Sequence, residues 1–164
     1  MIDTRIIPEC YVDTIMIEGI GFRNPNHKLG IGETLKTLQL RGYKDKLGIA
    51  VIDKDKHAPK TLYSLYQLFR RVGNVEIRRQ EGTKRFVIIH PNMEAWTYGE
   101  GQKAGINLSD FRLPGTYQGY RELCKSMKSI EHEGLKNYMN TLGQKETEIR
   151  IVRQIILELV AEFG

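Results

Sequence analysis

The segment Lys-Leu-Gly-Ile-Ala-Val-Ile-Asp, residues 46–53, decides the fold. It is a continuous apolar run bounded by charged residues, without the apolar–polar alternation of a strand that has one face in water. Such a run is typical of a strand covered on both faces, as in a parallel sheet between two layers of helices. The segment therefore predicts a buried strand of an α/β protein.

The sequence on either side of this strand predicts alternating strands and helices. The predicted elements are a strand at 4–8, helices at 10–18 and 33–40 separated by a loop at 22–30, a helix at 59–71, strands at 75–79 and 84–90, and a helix from Pro91 to about 98. The 59–71 helix rests on an apolar stripe at 3-4 spacing, formed by Leu62, Leu65, Tyr66 and Phe69. Together these elements predict a three-layer α/β/α fold with a mostly parallel sheet.

The C-terminal third of the chain has a helical pattern. We expect helices at 117–129, 133–142 and 145–163, and the last has one apolar face from Ile149 to Phe163. The Gly-rich stretch 99–105 is the best candidate linker, so we expect an α/β domain over 1–105 and a helical part over 106–164 that packs on it. The apolar face is most simply intradomain core, although it could also mediate a homodimer.

Composition limits the class of protein. The chain has 164 residues, of which 40% are hydrophobic and 27% charged, as in an ordinary globular domain. No apolar run approaches the roughly 20 residues that span a bilayer, and the N-terminus lacks a signal-peptide pattern, so we expect a cytoplasmic protein without a membrane partner. Cys10 and Cys124 form no CxxC pair, which argues against a zinc site or a disulfide framework.

Positive charge is concentrated in one window of the sequence. Residues 54–85 contain nine Lys or Arg and three acidic residues, whereas the net charge of the whole chain is +5. A basic face favours a phosphate-bearing partner such as nucleic acid. A solvated surface that keeps the protein soluble explains the window equally well.

Acidic residues follow two of the predicted strands. Glu9 and Asp13 come after the first strand at a spacing of one helical turn, and Asp53 and Asp55 follow the second. Alternate residues that leave a strand point the same way, so both aspartates can face one point. Four acids at the carboxyl edge of a sheet are tolerable if a divalent cation binds them, and oxygen ligands favour Mg²⁺ or Mn²⁺ over zinc. Taken alone, Asp53 is more simply a turn residue or a helix cap, and the Asp-x-Asp pair together with the acids after the first strand favours a metal site.

These segments resemble a known family. The segment Glu9-Cys-Tyr-Val-Asp13 is similar to the Glu-Gly-x-x-Asp element of TOPRIM domains, which have a Rossmann-like fold, and Ile-Ala-Val-Ile-Asp53-Lys-Asp55 resembles their apolar strand ending in Asp-x-Asp. His90-Pro-Asn-Met-Glu94-Ala-Trp96 is similar to the Pro-x-x-Glu-x-Trp segment of small stand-alone TOPRIM-like proteins of the RloB type. The resemblance covers roughly residues 4–98. It departs from the family pattern at Cys10, where the family usually has glycine, and a side chain there is expected to crowd the approach to the metal.

The resemblance implies roles for individual residues. Asp53 and Asp55 would hold the metal, and Glu9 would complete the site or act as a general acid or base. Asp13 would be a further ligand, and Glu94 would be either a ligand or a helix-start acid that stabilises the helix dipole. Phosphate charge would be neutralised by three lysines, Lys54, Lys56 and Lys60. His90, at a strand end, could contact substrate or metal, although a histidine near the core is the simpler interpretation.

Three functions are compatible with this interpretation. The first is a metal-dependent phosphodiester hydrolase, a nuclease, since some proteins of the resembled type are associated with bacterial phage defence. The second is a non-catalytic nucleic-acid or protein-binding module that retains the fold. A phosphate-handling enzyme acting on a small nucleotide is a third interpretation.

Overall fold

The computed structural model describes residues 3–55, 57–126, 129 and 131–164 of the chain. Within these ranges, five strands form one sheet and seven α-helices pack with it. In chain order the elements are β1 (Ile6–Pro8), α1 (Tyr11–Gly19), α2 (Ile31–Leu38), β2 (Gly48–Asp53), α3 (Lys60–Leu65), β3 (Tyr66–Val72), β4 (Val75–Gln80), β5 (Arg85–His90), α4 (Met93–Lys103), α5 (Tyr117–Lys125), α6 (Glu133–Gln144) and α7 (Glu148–Phe163). Short 3₁₀ segments lie at Arg41–Tyr43 and Leu108–Phe111.

The sheet is mixed, so the prediction of a mostly parallel sheet is wrong. The strand order is β1-β2-β5-β4-β3, in which β1, β2 and β5 are parallel and β5, β4 and β3 are antiparallel. The reason lies in the two short connections after β3 and β4, since parallel neighbours need a long crossover and a tight turn can join only antiparallel strands. Gly73 and Gly82 occupy these turns with φ of 56° and 69°, a backbone conformation that favours glycine.

The predicted helix at 59–71 is wrong in its second half. Helix α3 ends at Leu65, and the chain continues directly into strand β3. Of the four residues in the apolar stripe, Leu62 and Tyr66 are buried but Leu65 and Phe69 are 44% and 46% exposed. The helical spacing of these apolar residues is misleading here, because residues 66–72 pair with β4 and therefore form a strand.

Strand β2 is buried on both faces, as residues 46–53 predicted. Ile49 and Val51 belong to one hydrophobic cluster with α1 and α4–α7, whereas Ala50 and Ile52 belong to a second cluster with α2 and α3. Helices therefore cover both faces of the sheet, and the α/β class of the fold is confirmed.

The predicted linker at 99–105 is wrong, because most of it is helical. Gly99 and Gly101 lie inside α4, which extends to Lys103. A Cβ at Gly101 would overlap the hydroxyl of Tyr138, so this glycine is required by the close approach of α6 rather than by a flexible connection.

The C-terminal helices share the larger of the two hydrophobic clusters with the sheet. Five apolar residues of α7 are no more than 3% exposed, namely Ile149, Val152, Ile155, Ile156 and Leu159. This part of the predicted apolar face is intramolecular core, so it is not available for a homodimer contact. Of the predicted helix 117–129, α5 ends at Lys125, and residues 127 and 128 lie outside the described residues. Among the helices that the structure describes, none is long and apolar enough to cross a membrane.

The segment 23–30 lies along the outer edge of β1. The backbone N–H groups of Asn26, Lys28 and Gly30 donate to the carbonyl oxygens of Ile6, Pro8 and Glu9 over 2.8–3.0 Å. The predicted loop therefore runs beside the strand and closes this edge of the sheet.

Candidate metal centre

The carboxyl ends of the three parallel strands bring the polar residues of the candidate site together. Glu9 directly follows β1, and Asp53 and His90 are the last residues of β2 and β5, where they are paired in register. Helix α1 starts at the same edge and places Asp13 in its first turn. In open α/β sheets, functional groups collect at this edge.

Asp13, Asp53 and His90 form a group that could hold a metal ion. One ligand atom from each residue lies within 4.8 Å of the other two. Nε2 of His90 is 3.3 Å from Oδ1 of Asp13, and Nδ1 is 3.1 Å from Oδ1 of Asp53. Asp13 and His90 are completely buried, whereas the Asp53 side chain is 27% exposed and gives the group contact with solvent.

The neighbours of His90 fix its orientation. Its ring stacks on the indole of Trp96 with an interplanar angle of 8°. Nδ1 lies 2.7 Å from the carbonyl oxygen of Pro91, and because a carbonyl can only accept, Nδ1 carries a proton. Nε2 is therefore the ring atom available to Asp13 or to a metal. Burial alone would lower the pKa of His90, but the carboxylates of Asp13 and Asp53 outweigh it and raise the pKa to about 9.

The carboxylate of Asp13 is the most unusual group in the site. Both of its oxygens are buried, and within the described part of the chain neither has a hydrogen-bond partner. The 3.3 Å contact with His90 is close enough for charge attraction but lacks hydrogen-bond geometry. An uncompensated buried carboxylate is costly, and either a protonated His90 or a bound cation would supply the compensating positive charge.

Two further carboxyl groups at this edge have raised pKa values. Oε2 of Glu9 accepts from the backbone N–H of Asp53 at 3.0 Å, and Oδ1 of Asp53 accepts from the N–H of Met93 at 3.1 Å. Burial and then the nearby Asp13 raise the pKa of Glu9 to about 7. Burial, opposed by His90 and reinforced by Asp13 and Glu94, raises the pKa of Asp53 to about 7. Each carboxyl group can therefore exchange a proton near neutral pH.

Asp55 does not join the group that Asp13, Asp53 and His90 form. Strand β2 ends at Asp53, so the extended backbone that would align Asp53 with Asp55 does not continue. Asp55 is exposed, and its Oδ1 accepts from the backbone N–H of His57 at 2.9 Å, which closes a local turn. The two halves of the Asp-x-Asp motif thus lie in different environments.

Glu94 lies close to the group without belonging to it. It is in the first turn of α4 and is 6% exposed, and its Oε2 has no hydrogen-bond partner among the described residues. The position fits both interpretations from the sequence, a further ligand or an acid at a helix N-terminus.

Cys10 acts as the N-cap of α1. Its Sγ lies 3.5 Å from the backbone N–H of Asp13 and accepts from it. Burial and the neighbouring Asp13 raise the pKa of the Cys10 thiol far above its ordinary value. The side chain expected to crowd the metal is thus turned towards the helix, where it holds the backbone of Asp13.

Of the three predicted phosphate-binding lysines, two are among the described residues, and both are exposed. Lys54 is exposed immediately after Asp53, and its backbone N–H donates to the carbonyl oxygen of His90 at 2.7 Å. Lys60 is exposed at the start of α3, and Lys56 lies outside the described residues. Elsewhere in the basic window the charge is partly neutralised, since three arginines, Arg70, Arg71 and Arg78, form ion pairs with glutamates.

His27 is a neighbour of the site that sequence interpretation missed. Its Nδ1 is 2.7 Å from Oγ1 of Thr14, whose hydroxyl donates to the carbonyl of Cys10. Nδ1 must then be the donor, which leaves the lone pair on Nε2, a buried atom without a hydrogen-bond partner in the described ranges. Burial lowers the pKa of His27 and favours this neutral form. No sequence signal pointed to it, because only the fold lays its loop beside α1.

Comparisons with protein-family models, with curated proteins and with solved structures found no match to this chain.

Proposed function

We propose that this chain is a TOPRIM-like, metal-dependent phosphodiester hydrolase that cuts nucleic acid in the cytoplasm. The observation that carries the proposal is the buried Asp13 carboxylate, whose oxygens have no hydrogen-bond partner in the described part of the chain. It lies beside Asp53 and Glu9 at the carboxyl edge of three parallel strands, where the resemblance to TOPRIM domains expects the metal. A role in bacterial phage defence belongs to the same proposal.

The residues present fit a divalent cation. Asp13 and Asp53 would hold it through oxygen, and His90 would add Nε2 as a nitrogen ligand once that atom has lost its proton. Mg²⁺ prefers oxygen alone, whereas Mn²⁺ accepts imidazole more readily, so this set favours Mn²⁺ of the two expected ions. The bound cation would polarise a phosphate oxygen and lower the pKa of a coordinated water.

The chain's own residues would complete the chemistry. Glu9, with a pKa of about 7, would accept a proton from the attacking water or return one to the leaving oxygen. Exposed Lys54 and Lys60 would neutralise phosphate charge at the open side of the site. Lys56 belongs to the same proposal by its position in the sequence.

The test is a cleavage assay with single-stranded and double-stranded DNA and RNA, in Mg²⁺ or Mn²⁺ or with a chelator. We expect Asp13→Asn and Asp53→Asn each to lower the cleavage rate by at least about 100-fold, since loss of a ligand should exceed the 10–100-fold effect of outer-shell partners. Asp55→Asn is the matched control and should retain most activity, because Asp55 is exposed in a local turn. Cleavage that persists in both Asp13→Asn and Asp53→Asn would refute the proposed site.

The alternative function is a non-catalytic nucleic-acid or protein-binding module. One observation favours it, namely that a protonated His90 can balance Asp13 without any metal. Calorimetry distinguishes the two functions. Binding of Mn²⁺ that is lost in Asp53→Asn supports the hydrolase, whereas nucleic-acid binding with no affinity for Mn²⁺ or Mg²⁺ supports the binding module.

A further inference from the structure

A polar cavity lies at the opposite end of α1 from the candidate metal centre. It has a volume of about 430 Å³ and is formed by the end of α1, the last two turns of α6 and the first turns of α7. Asp13 and Gly19 lie six residues apart on α1, which corresponds to roughly 9 Å along the helix axis. We call this cavity, whose two charged lining residues are Arg150 and Arg153, the arginine groove.

Glycines make the close contacts that form the groove. A Cβ at Gly19 would come within 2.6 Å of the Cβ of Met139, and a Cβ at Gly143 would come within 2.8 Å of Cγ2 of Ile20. Because both positions lack a side chain, α1 packs closely against α6. The carbonyl oxygen of Ile20 is thereby brought within reach of α7, where it accepts from Nε of Arg153 at 3.0 Å.

This hydrogen bond uses Nε of Arg153 and does not involve the two Nη groups at the outer edge of the guanidinium. Nε is engaged by Ile20, but neither Nη atom is in an ion pair with a carboxylate in the part of the chain that the structure describes. The paired Nη groups of an anchored arginine form a planar fork that matches two oxygens of a phosphate. Arg153 is therefore oriented for an anion that no carboxylate among the described residues supplies.

The other charges around the groove support the same conclusion. Arg150 precedes Arg153 by three residues on the same face of α7, and both lie near the N-terminal end of this 16-residue helix, the positive end of its dipole. Glu18, the carboxylate at the end of α1, is 3.4 Å from Lys136 and is already paired. Arg150 also lines a neighbouring groove that contains Glu146 and Glu148, so Arg153 is the better anchored of the two arginines.

Two of the remaining lining residues have uncharged polar side chains. Asn140 and Gln144 project from successive turns of α6, where Nε2 of Gln144 donates to Oδ1 of Asn140. The side-chain amide of Asn140 can donate to a bound oxygen. The cavity is large enough for a phosphate together with part of a sugar, since small-molecule sites begin at about 300 Å³.

We propose that the arginine groove binds a phosphate group through Arg153 and Arg150. The phosphate comes either from the backbone of a nucleic acid or from a free phosphorylated small molecule. The site is separate from the metal centre, so its existence does not depend on the proposed hydrolysis.

The experiment measures binding in a chelator, so that a failure of the metal-dependent function cannot affect it. The two probes are a short fluorescent single-stranded DNA, followed by anisotropy, and inorganic phosphate, followed by NMR titration. For the double variant Arg150→Gln/Arg153→Gln we expect the affinity for at least one probe to fall about tenfold or more. If DNA is the ligand, the slope of log affinity against log salt should also become shallower by about 1.4, since each phosphate contact on a single strand contributes about 0.7.

Matched variants separate this effect from net charge and from folding. Arg41→Gln/Lys44→Gln removes the same charge from exposed positions elsewhere and should change either affinity by less than about twofold. Arg153→Lys keeps the charge but loses the fork, so it should weaken binding severalfold. Arg153→Gln also loses the hydrogen bond to Ile20 and could therefore lower stability. The Arg150 side chain makes no hydrogen bond within the described ranges, so Arg150→Gln alone should keep the thermal stability of the wild-type protein.

The outcomes are distinct. Loss of DNA binding alone assigns the groove to backbone phosphate, and loss of inorganic phosphate binding assigns it to a free anion; both support the proposal. It is overturned if the double variant binds both probes as the wild-type protein does, or if the Arg41/Lys44 control loses as much affinity.

Discussion

The two halves of the sheet differ in direction, burial and chemistry. In the parallel half, β5 is buried at every position, and β2 is buried at all but its last residue. In the antiparallel half, five consecutive residues of the edge strand β3, from Gln67 to Arg71, are exposed. Parallel strands end at one edge, so their terminal residues meet there, whereas the ends of a hairpin alternate between opposite edges. Only the parallel half therefore assembles Glu9, Asp53 and His90 into one site.

The comparison also explains the different use of charge. The parallel half concentrates buried carboxyl groups that have few partners, while three arginines of the hairpin, two of them exposed, are paired with glutamates. Arg71 and Arg78 both contact Glu76, and Arg70 contacts Glu158 of α7. We infer that the parallel half supplies both the rigid core and the reactive groups, and that the hairpin contributes mainly surface.

The largest expected difference concerns core packing. Ile88→Ala in β5 removes a fully buried side chain and should lower the free energy of unfolding by about 2–5 kcal/mol. Leu68→Ala in β3 affects a residue that is 52% exposed and should cost less than about 1 kcal/mol. Urea denaturation measures both. Similar losses for the two variants would show that the hairpin is as much a part of the core as β5.

A smaller loss of stability is expected from substituting Glu148, which links the hairpin turn to α4. Oε2 of Glu148 accepts from Nε1 of Trp96 at 2.7 Å, and Oε1 accepts from the backbone N–H of Asn74 in the hairpin turn at 3.2 Å. Glu148→Ala leaves these donors without their acceptor and should cost about 2 kcal/mol. Glu158→Ala, on the same helix, breaks only the exposed pair with Arg70 and should cost no more than about 0.5 kcal/mol. Equal Tm values for the two variants would contradict the proposed link.

The smallest expected effect is a pH dependence that arises from the parallel half. Because folding raises the pKa of Glu9 and Asp53 to about 7, the folded state retains protons that the unfolded state has lost above about pH 4. Their contribution to stability is present below about pH 4 and is lost as the pH rises through 7, and His90, with a pKa of about 9, extends the loss to higher pH.

We therefore expect the metal-free protein to become less stable between about pH 4 and pH 9. Between about pH 4 and pH 7, the free energy of unfolding of Glu9→Gln should fall by about 1–2 kcal/mol less than that of the wild-type protein, after allowance for solvent screening of a partly exposed carboxyl group. Saturating Mn²⁺ should reverse the trend, because a bound cation favours ionised ligands. Urea denaturation across this range provides the measurement, and an unchanged slope in Glu9→Gln would exclude the raised pKa of Glu9.

The sequence correctly predicted those elements whose burial can be recognised from the local pattern of apolar residues. The run 46–53 predicted β2 correctly because a strand covered on both faces needs apolar residues at every position, and His90-Pro91 marked the end of β5 correctly. The same rules failed at 66–72, where a stripe at helical spacing did not reveal that β4 would pair with the segment. A local pattern cannot report a partner that is distant in sequence.

The candidate site, like the fold, was predicted correctly only in part. Asp13 and Asp53 were expected at one edge, and the structure brings them together with His90. Asp55 was expected beside Asp53 because alternate strand residues share a face, but that argument assumes that the strand continues. The place of His90 between two carboxylates depends on the register of β2 against β5, which the sequence does not display.

Segment 23–30, which runs along β1, also bears on whether the protein stays dispersed. The carbonyl groups of β1 already receive the N–H groups of Asn26 and Lys28, so no strand from another molecule can add there. At the other end of the sheet, β3 has a register shift between Leu68 and Arg70 and carries adjacent positive charges, features that disfavour strand addition. The two ends of the sheet are thus protected by different means, and the protein is expected to resist the end-to-end growth of β-structure that leads to fibres.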